Sequence, residues 1–170
     1  MNMCKYWILE ISDEGDKNEF RNATEIQYVK RKNRQRNAEI KYRENYLFMD
    51  CIKNLVHYKI LKKEESEKVI RNFLNIVPFD NGHIDWTYIQ NKSLINMDEF
   101  EKIGVNQEKY YIIWDNVELP CVSCELKSIK EHLDDVLAVS FDTWLLSEEG
   151  DEIIEFYHEG KITYGKIVKE

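Results

Sequence analysis

Alternation of apolar and polar residues in the last third of the chain constrains the fold more than any other feature. Residues 134–167 read DDVLAVSFDTWLLSEEGDEIIEFYHEGKITYGKI and contain two turn signals, at 148–151 and 159–160. A period of two places alternate side chains on opposite faces of a sheet. The stretch therefore predicts three consecutive antiparallel strands, over 136–146, 152–159 and 162–168, with one buried face.

The expected register divides the side chains of these strands between two faces. Leu137, Val139, Phe141 and Leu145 share the predicted buried face. The predicted outward face combines carboxylates with large aromatic rings: Asp142, Trp144, Glu155, Tyr157 and Glu159. Aromatic rings supply contact area and carboxylates match a basic partner, which is typical of a protein-binding surface.

The turn between the first two of these strands adds three acids to the predicted binding surface, Glu148, Glu149 and Asp151. An alternative stays open for the strands themselves. If the helical half of the chain covers the face that carries Asp142 and Trp144, then Trp144 is core. The binding site is then to be sought on loops such as 148–151.

Upstream of this stretch, two more strands are expected at 110–114 and 119–126, followed by a short helix over 129–134. Ser128 and Glu131 have the spacing of a capping box at the start of that helix. Asn96 is expected to cap another short helix that ends at Gly104. Asn81 and Gly82 favour a tight turn, because both tolerate positive φ angles.

The first half of the chain is predicted to be mainly helical. Tyr42, Tyr46, Met49, Ile52 and Leu55 recur at helical spacing within 38–60. A second helix is expected over 63–75, ending before Pro78, and the two would form a helical hairpin. A short strand is also expected over 4–11. The whole chain, 1–170, is thus predicted to be a single α+β domain, with 1–78 mainly helical and 79–170 mainly antiparallel β.

Charge is distributed unevenly along the chain. The total is −8, but residues 98–170 carry 18 acidic and 7 basic side chains, whereas residues 1–97 carry 14 and 17. This asymmetry favours a cationic partner for the C-terminal region, although acidic surfaces also simply keep proteins in solution. The basic run at 30–36, KRKNRQR, is interpreted as a solvated helix face or loop. No direct nucleic-acid binding is expected from it, since few aromatic residues are interleaved for stacking.

No catalytic or metal-binding constellation is evident. His83 and Asp85 alternate on one possible strand, but no nucleophile accompanies them. Cys121 and Cys124 form a CxxC without a second pair or suitably spaced histidines, so buried positions in a strand are expected rather than a metal or redox site. No cofactor is predicted. Four cysteines, no signal peptide and no long apolar run indicate reduced thiols in the cytoplasm and no membrane span.

The segments YYIIWDNVELPCVSCEL, DDVLAVSFDTWL and IIEFYHEGKITYGKI resemble bacterial immunity proteins of contact-dependent growth inhibition and similar polymorphic toxin systems, over roughly residues 109–168. The resemblance implies a cytoplasmic, non-enzymatic protein that binds the C-terminal domain of a toxin, often a nuclease, and neutralises it. The resemblance supplies no catalytic residues. Nuclease clefts are basic because they hold polyanions, so an acidic inhibitor suits such a target.

Two other hypotheses remain from the sequence. One is an adaptor or regulatory module that binds another basic protein. The other is an enzyme, such as a hydrolase that uses His83 with Asp85 or His158 with Glu159; it lacks a nucleophile elbow, a P-loop and a metal set.

Overall fold

A seven-stranded antiparallel sheet organises the residues that this computed structural model describes, 41–80, 83–104 and 108–167. Its strand order is β1-β6-β5-β7-β8-β9-β4, and β2 and β3 form a separate two-stranded hairpin. The strands are β1 Tyr58–Ile60, β2 Phe79–Asp80, β3 His83–Ile84, β4 Asn91–Ile95, β5 Lys109–Trp114, β6 Val122–Glu125, β7 Thr143–Ser147, β8 Glu152–Tyr157 and β9 Lys161–Lys166.

Short helices cover both faces of the sheet. They are α1 Tyr46–Asn54, α2 Lys63–Ile76, α3 Met97–Phe100, α4 Leu126–Glu131 and α5 Leu133–Leu137, with a 3-10 helix at Trp86–Tyr88. The predicted α+β class is confirmed, and so are the antiparallel sheet in the C-terminal half and the strands that begin near 110, 152 and 162.

Each face of the sheet has its own hydrophobic core. On the first, the α1 face, Tyr110, Ile112 and Leu145 pack against α1, α4 and α5. On the second, the α2 face, Ile113 and Leu146 pack against α2 and the β2–β3 hairpin. The central strands are therefore buried on both sides. Runs such as YYIIW and WLL are nearly continuous in hydrophobicity for this reason.

The predicted helical hairpin is wrong, because α1 and α2 lie on opposite faces of the sheet. Asn45 caps α1 by accepting a hydrogen bond from the Phe48 amide at 3.0 Å, and the helix ends at Asn54. Residues 58–60 then pair with β6 as an edge strand instead of continuing the helix. The short edge strand carries the chain from one face to the other.

Two local predictions around residue 130 also need correction. Ser128 lies inside α4 and its hydroxyl accepts a hydrogen bond from the Val56 amide at 2.9 Å, so it is not a helix cap. Residues 133–137 form α5, and β7 begins only at Thr143. Leu133, Val136 and Val139 are buried at a helical spacing of three, which a short apolar run does not distinguish from strand alternation.

The predicted cap at Asn96 agrees with the structure, but α3 ends at Phe100 rather than at Gly104. Asn96 accepts from the Glu99 amide, while the Glu99 carboxylate accepts from the Asn96 amide, both at 2.9 Å. Gly104 has φ +64°, in the left-handed region that favours glycine. Asn81 and Gly82 lie outside the described residues, but β2 and β3 pair on either side of them.

Several sequence predictions fall outside the described residues, among them the strand at 4–11 and the basic run at 30–36. Residues 38–170 group as one unit. A single domain over 1–170 stays a prediction. Within the described ranges, no helix has the length and apolarity to cross a membrane.

Candidate functional site

Glu155 is a buried structural carboxylate, so the prediction that it faces outward is wrong. Its residue is 4% exposed. The carboxylate accepts three hydrogen bonds, from the Ile84 amide at 3.0 Å, the Trp86 indole at 2.5 Å and the Trp144 indole at 2.9 Å. Three donors satisfy an acid that would otherwise be costly to bury. Glu155 thereby ties the hairpin and the 3-10 helix to the sheet.

Trp144 and Asp142 are also covered rather than outward-facing. Trp144 is 5% exposed and packs against Phe73 of α2 and Phe79 of the hairpin. Asp142 is 6% exposed and accepts from the backbone amide of His158 at 2.8 Å, while its oxygen lies 2.9 Å from His158 Nδ1. The alternative in which Trp144 is core is the correct one. These two residues support the fold beneath the surface.

The acids of the β7–β8 turn lie at one end of the sheet. The Glu148 amide donates to the Lys109 carbonyl, and its carboxylate accepts from the Ser123 hydroxyl at 2.6 Å. The Asp151 carboxylate accepts from the Ser147 hydroxyl at 2.7 Å. Strand register brings further carboxylates to the same end of the sheet. We call this set the acidic end: Glu108, Glu125, Glu148, Glu149, Asp151 and Glu152.

Cations only partly offset the acidic end. Lys166 pairs with Glu152 at 3.1 Å. Lys109 is exposed at the same end of the sheet, where it lies opposite Glu125 in the register of β5 and β6. By formal charge the six carboxylates of the acidic end exceed Lys109 and Lys166, and this excess favours a cationic partner.

Glu152 anchors the acidic end to the core. Its carboxylate accepts from the Tyr110 hydroxyl at 2.6 Å and the Tyr164 hydroxyl at 2.7 Å. Burial raises the pKa of Glu152, but these hydrogen bonds together with Lys166 outweigh it, and the net pKa is lowered. The pKa values of both tyrosines are raised, first by burial and then by their bonds to Glu152. The carboxylate is therefore held ionised between two neutral phenols.

The remaining predicted site residues, Tyr157 and Glu159, lie at the opposite end of the sheet. Glu159 is exposed and pairs with Lys161 at 2.8 Å. The Tyr157 ring contacts the rings of His83 and His158 at centroid distances of 5.7 and 4.1 Å. Six residues of β8 separate this end from the β7–β8 turn, roughly 20 Å in an extended strand. The structure therefore does not bring the predicted residues together on one surface.

The residue pairs weighed for catalysis are held in structural contacts. Asp85 caps the 3-10 helix, and the bonds its carboxylate accepts from the Thr87 hydroxyl and amide lower its pKa. His158 pairs with Asp142 rather than with Glu159. Among the described residues, no group of three His, Cys, Asp or Glu side chains is placed to hold a metal ion.

Cys121 and Cys124 are buried free thiols next to and within β6, as expected from the sequence. Burial raises the pKa of Cys121 to about 12 and also raises that of Cys124. Thiols held in the protonated form are poor nucleophiles and poor metal ligands. Both cysteines fill core space.

Sequence patterns missed a set of apolar side chains that point into solvent. Val117 is 99% exposed on the β5–β6 loop, and Phe141, assigned to the buried face from the alternation, is 85% exposed. Leu74 of α2 is 53% exposed. The exposure of such a side chain depends on whether another helix, strand or loop packs over it in the folded protein. A local sequence pattern does not contain that information.

A family model described as CdiI immunity protein, EcoliA0-like, matches residues 45–165. The match spans most of the chain, from α1 to β9. The chain belongs to this CdiI immunity protein family. The suspected resemblance to immunity proteins of contact-dependent growth inhibition is confirmed, and the match extends it to include α1 and α2. A comparison with curated proteins finds no match.

Membership of the CdiI family assigns an immunity role and implies a cognate toxin as the partner of this protein. In such a protein, a surface that binds the toxin has to be accessible in the folded state. Of the residues predicted to contact the toxin, Asp142, Trp144 and Glu155 are buried, whereas Glu148, Glu149, Asp151 and Glu159 are exposed.

Proposed function

We propose that this CdiI immunity protein acts in the cytoplasm as a stoichiometric, non-enzymatic inhibitor. It binds the C-terminal toxin domain of its own system and covers the active cleft or substrate surface of that domain. The toxin is proposed to be a nuclease, whose substrate-binding cleft is basic. The acidic end of the sheet is the part of the immunity protein that meets this cleft.

The observation that carries this proposal is the convergence of six carboxylates at one edge of a rigid sheet. Glu125 lies on β6, Glu152 on β8 and Glu108 directly before β5, while Glu148, Glu149 and Asp151 share the β7–β8 turn, so strand pairing brings the three groups to the same end. The negative charge of the acidic end attracts a basic surface before contact, and this steering raises the association rate. A nuclease cleft built for polyanions offers the complementary charge.

Association kinetics with the purified toxin domain test the proposed contact. The test variant is Glu148→Lys/Glu149→Lys, and the matched control is Asp50→Lys/Glu131→Lys, which makes the same change of charge at exposed acids of α1 and α4. Thermal unfolding of both variants checks that they fold. At low salt, the acidic-end variant should associate about tenfold more slowly than the wild type, and the difference should shrink as salt screens the charges.

Equal association rates for the test and control variants would overturn the acidic end as the contact surface. Failure of the wild type to bind the toxin domain would overturn the inhibitory function itself. The nuclease assignment has its own assay. RNA and DNA cleavage by the toxin domain should stop at a 1:1 ratio of immunity protein to toxin, and a toxin that cleaves neither nucleic acid would refute it.

A further inference from the structure

An apolar groove lies between α2 and the β5–β6 loop, on the α2 face of the sheet and at the end opposite the acidic end. Its volume is about 250 Å³. Phe73, Ile113 and Trp144 line it and belong to the core of the α2 face. Leu74 and Val117 also line it and are exposed, one on α2 and the other on the loop.

The groove is continuous with an exposed apolar surface. Val117 is 99% exposed and Leu74 53% exposed, so both keep apolar area in water. Apolar side chains gathered around a concave site are typical of a binding surface, whereas isolated exposed apolar residues are common and uninformative. Leu74 and Val117 are thus placed to contact an apolar group inserted between α2 and the β5–β6 loop.

A carboxylate at the groove restricts the chemistry of its occupant. Asp115 lines the groove and is exposed. Its backbone amide donates to the Asp142 carbonyl, while its side chain has no ion pair with any residue in the described ranges. A cation carried beside the apolar group would meet this acid. Size adds a second restriction, since pockets for small molecules usually hold about 300–1,000 Å³ and this groove is smaller.

We propose that the groove receives one bulky apolar side chain of the cognate toxin domain, flanked by a Lys or Arg that pairs with Asp115. This inference rests on the proposed inhibitory function and adds the anchor of the interface. Buried apolar anchors in pockets carry most of the binding free energy in protein interfaces. A second copy of this chain is a poorer occupant, because two copies with a net charge of −8 each repel one another.

The groove and the acidic end fit one partner. They are separated by the length of β5, six residues or roughly 20 Å. An interface of standard size covers about 800 Å² on each partner, which spans that distance. Their contributions differ in kind, because steering by exposed charge acts mainly on association, whereas a filled pocket slows dissociation.

Matched lysine substitutions of exposed residues test the groove. The test variants are Leu74→Lys and Val117→Lys. The controls are Leu94→Lys, at a leucine 70% exposed on edge strand β4, and Met97→Lys, at a methionine 45% exposed on α3. All four positions are on the surface, so each variant should fold, which thermal unfolding verifies. Dissociation from the purified toxin domain is measured by surface plasmon resonance, and self-association by sedimentation.

We expect Leu74→Lys and Val117→Lys to dissociate at least tenfold faster than the wild type, and both controls to dissociate within twofold of it. Asp115→Lys should also weaken binding. If the wild type binds the toxin but the test variants dissociate like their controls, the groove is not the anchor and the proposed function stands. If the wild type does not bind the toxin, the proposed function itself fails. A wild-type dimer that Val117→Lys disrupts would assign the groove to a second copy and overturn the inference.

Discussion

Trp144 and Glu155 face each other across β7 and β8, and the Trp144 indole N–H donates a hydrogen bond of 2.9 Å to the Glu155 carboxylate. The same carboxylate accepts from the Trp86 indole and the Ile84 amide. Trp144 and Glu155 therefore do not form a binding face. They hold the β2–β3 hairpin and the 3-10 helix against the sheet. The part of β7 and β8 that carries these two side chains is therefore not available to a partner.

Replacement of Glu155 by alanine should destabilise the protein severely. The change leaves two indole N–H groups and one backbone amide without their acceptor, and each unsatisfied buried donor costs about 1–3 kcal/mol. We expect the free energy of unfolding in urea to fall by on the order of 3 kcal/mol. Glu159→Ala, at an exposed acid on the next turn, is the control and should change it by less than about 0.5 kcal/mol. Equal effects of the two substitutions would contradict the role of Glu155.

Gly165 is required on β9 because Trp86 packs directly over it. A Cβ atom at this position would lie 2.6 Å from Trp86 Cζ3 and 3.2 Å from Ile89 Cγ2. Gly165→Ala should therefore displace the 3-10 helix and cost about 1–3 kcal/mol of stability by overpacking. Thr163→Ala on the same strand provides the comparison in thermal unfolding. A Gly165→Ala protein as stable as the Thr163→Ala protein would show that the indole moves aside freely.

Acid should weaken the fold partly through Glu152. Its pKa in the folded protein is lowered from the ordinary value of 4.5. A lowered pKa contributes stability that is present above pH 4.5 and is lost as pH falls through the folded-state value. Glu152→Gln should thus be less stable than the wild type at pH 7 and lose less stability between pH 7 and pH 3. Urea unfolding between pH 7 and pH 3 measures the free energy of unfolding of both proteins. If this free energy falls in parallel for the wild type and Glu152→Gln, the role of Glu152 is contradicted.

The sequence sufficed for the parts of the fold that local chemistry dictates. Asn96 with Glu99 and the alternation in 152–157 predicted a cap and a strand that the structure contains. The family resemblance, drawn from residues 109–168, was also sufficient to predict the immunity role. These features depend on neighbouring residues in the chain, so a single sequence can reveal them.

Which side of the sheet is covered could not be predicted in the same way. Glu155 and Glu159 look alike in an alternating strand, yet one is buried under Trp86 and the other is exposed. The difference arises from the β2–β3 hairpin and the 3-10 helix, some 70 residues earlier in the chain. Likewise, Val117 and Leu74 become neighbours of one groove only when α2 packs beside the β5–β6 loop.

The thiols of Cys51, Cys121 and Cys124 should be unreactive in the folded protein. Burial raises the pKa of both Cys51 and Cys121 to about 12, and it raises that of Cys124 as well. In a Cys4→Ser background, iodoacetamide at pH 8 should modify none of the three within the time that fully labels the urea-unfolded chain. Val117→Cys in the same background is the exposed control and should react rapidly, as mass spectrometry can verify. Rapid labelling of the native Cys4→Ser protein would contradict the burial of these residues.

Growth rescue by co-expression tests the proposed neutralisation of the toxin. The cognate toxin domain is expressed in bacterial cells from an inducible promoter, with or without the immunity protein. We expect the toxin domain alone to arrest growth and co-expression of the wild-type immunity protein to restore it, with the two proteins recovered as a complex. Continued arrest in cells that contain soluble, folded immunity protein would contradict the proposed neutralisation of the toxin.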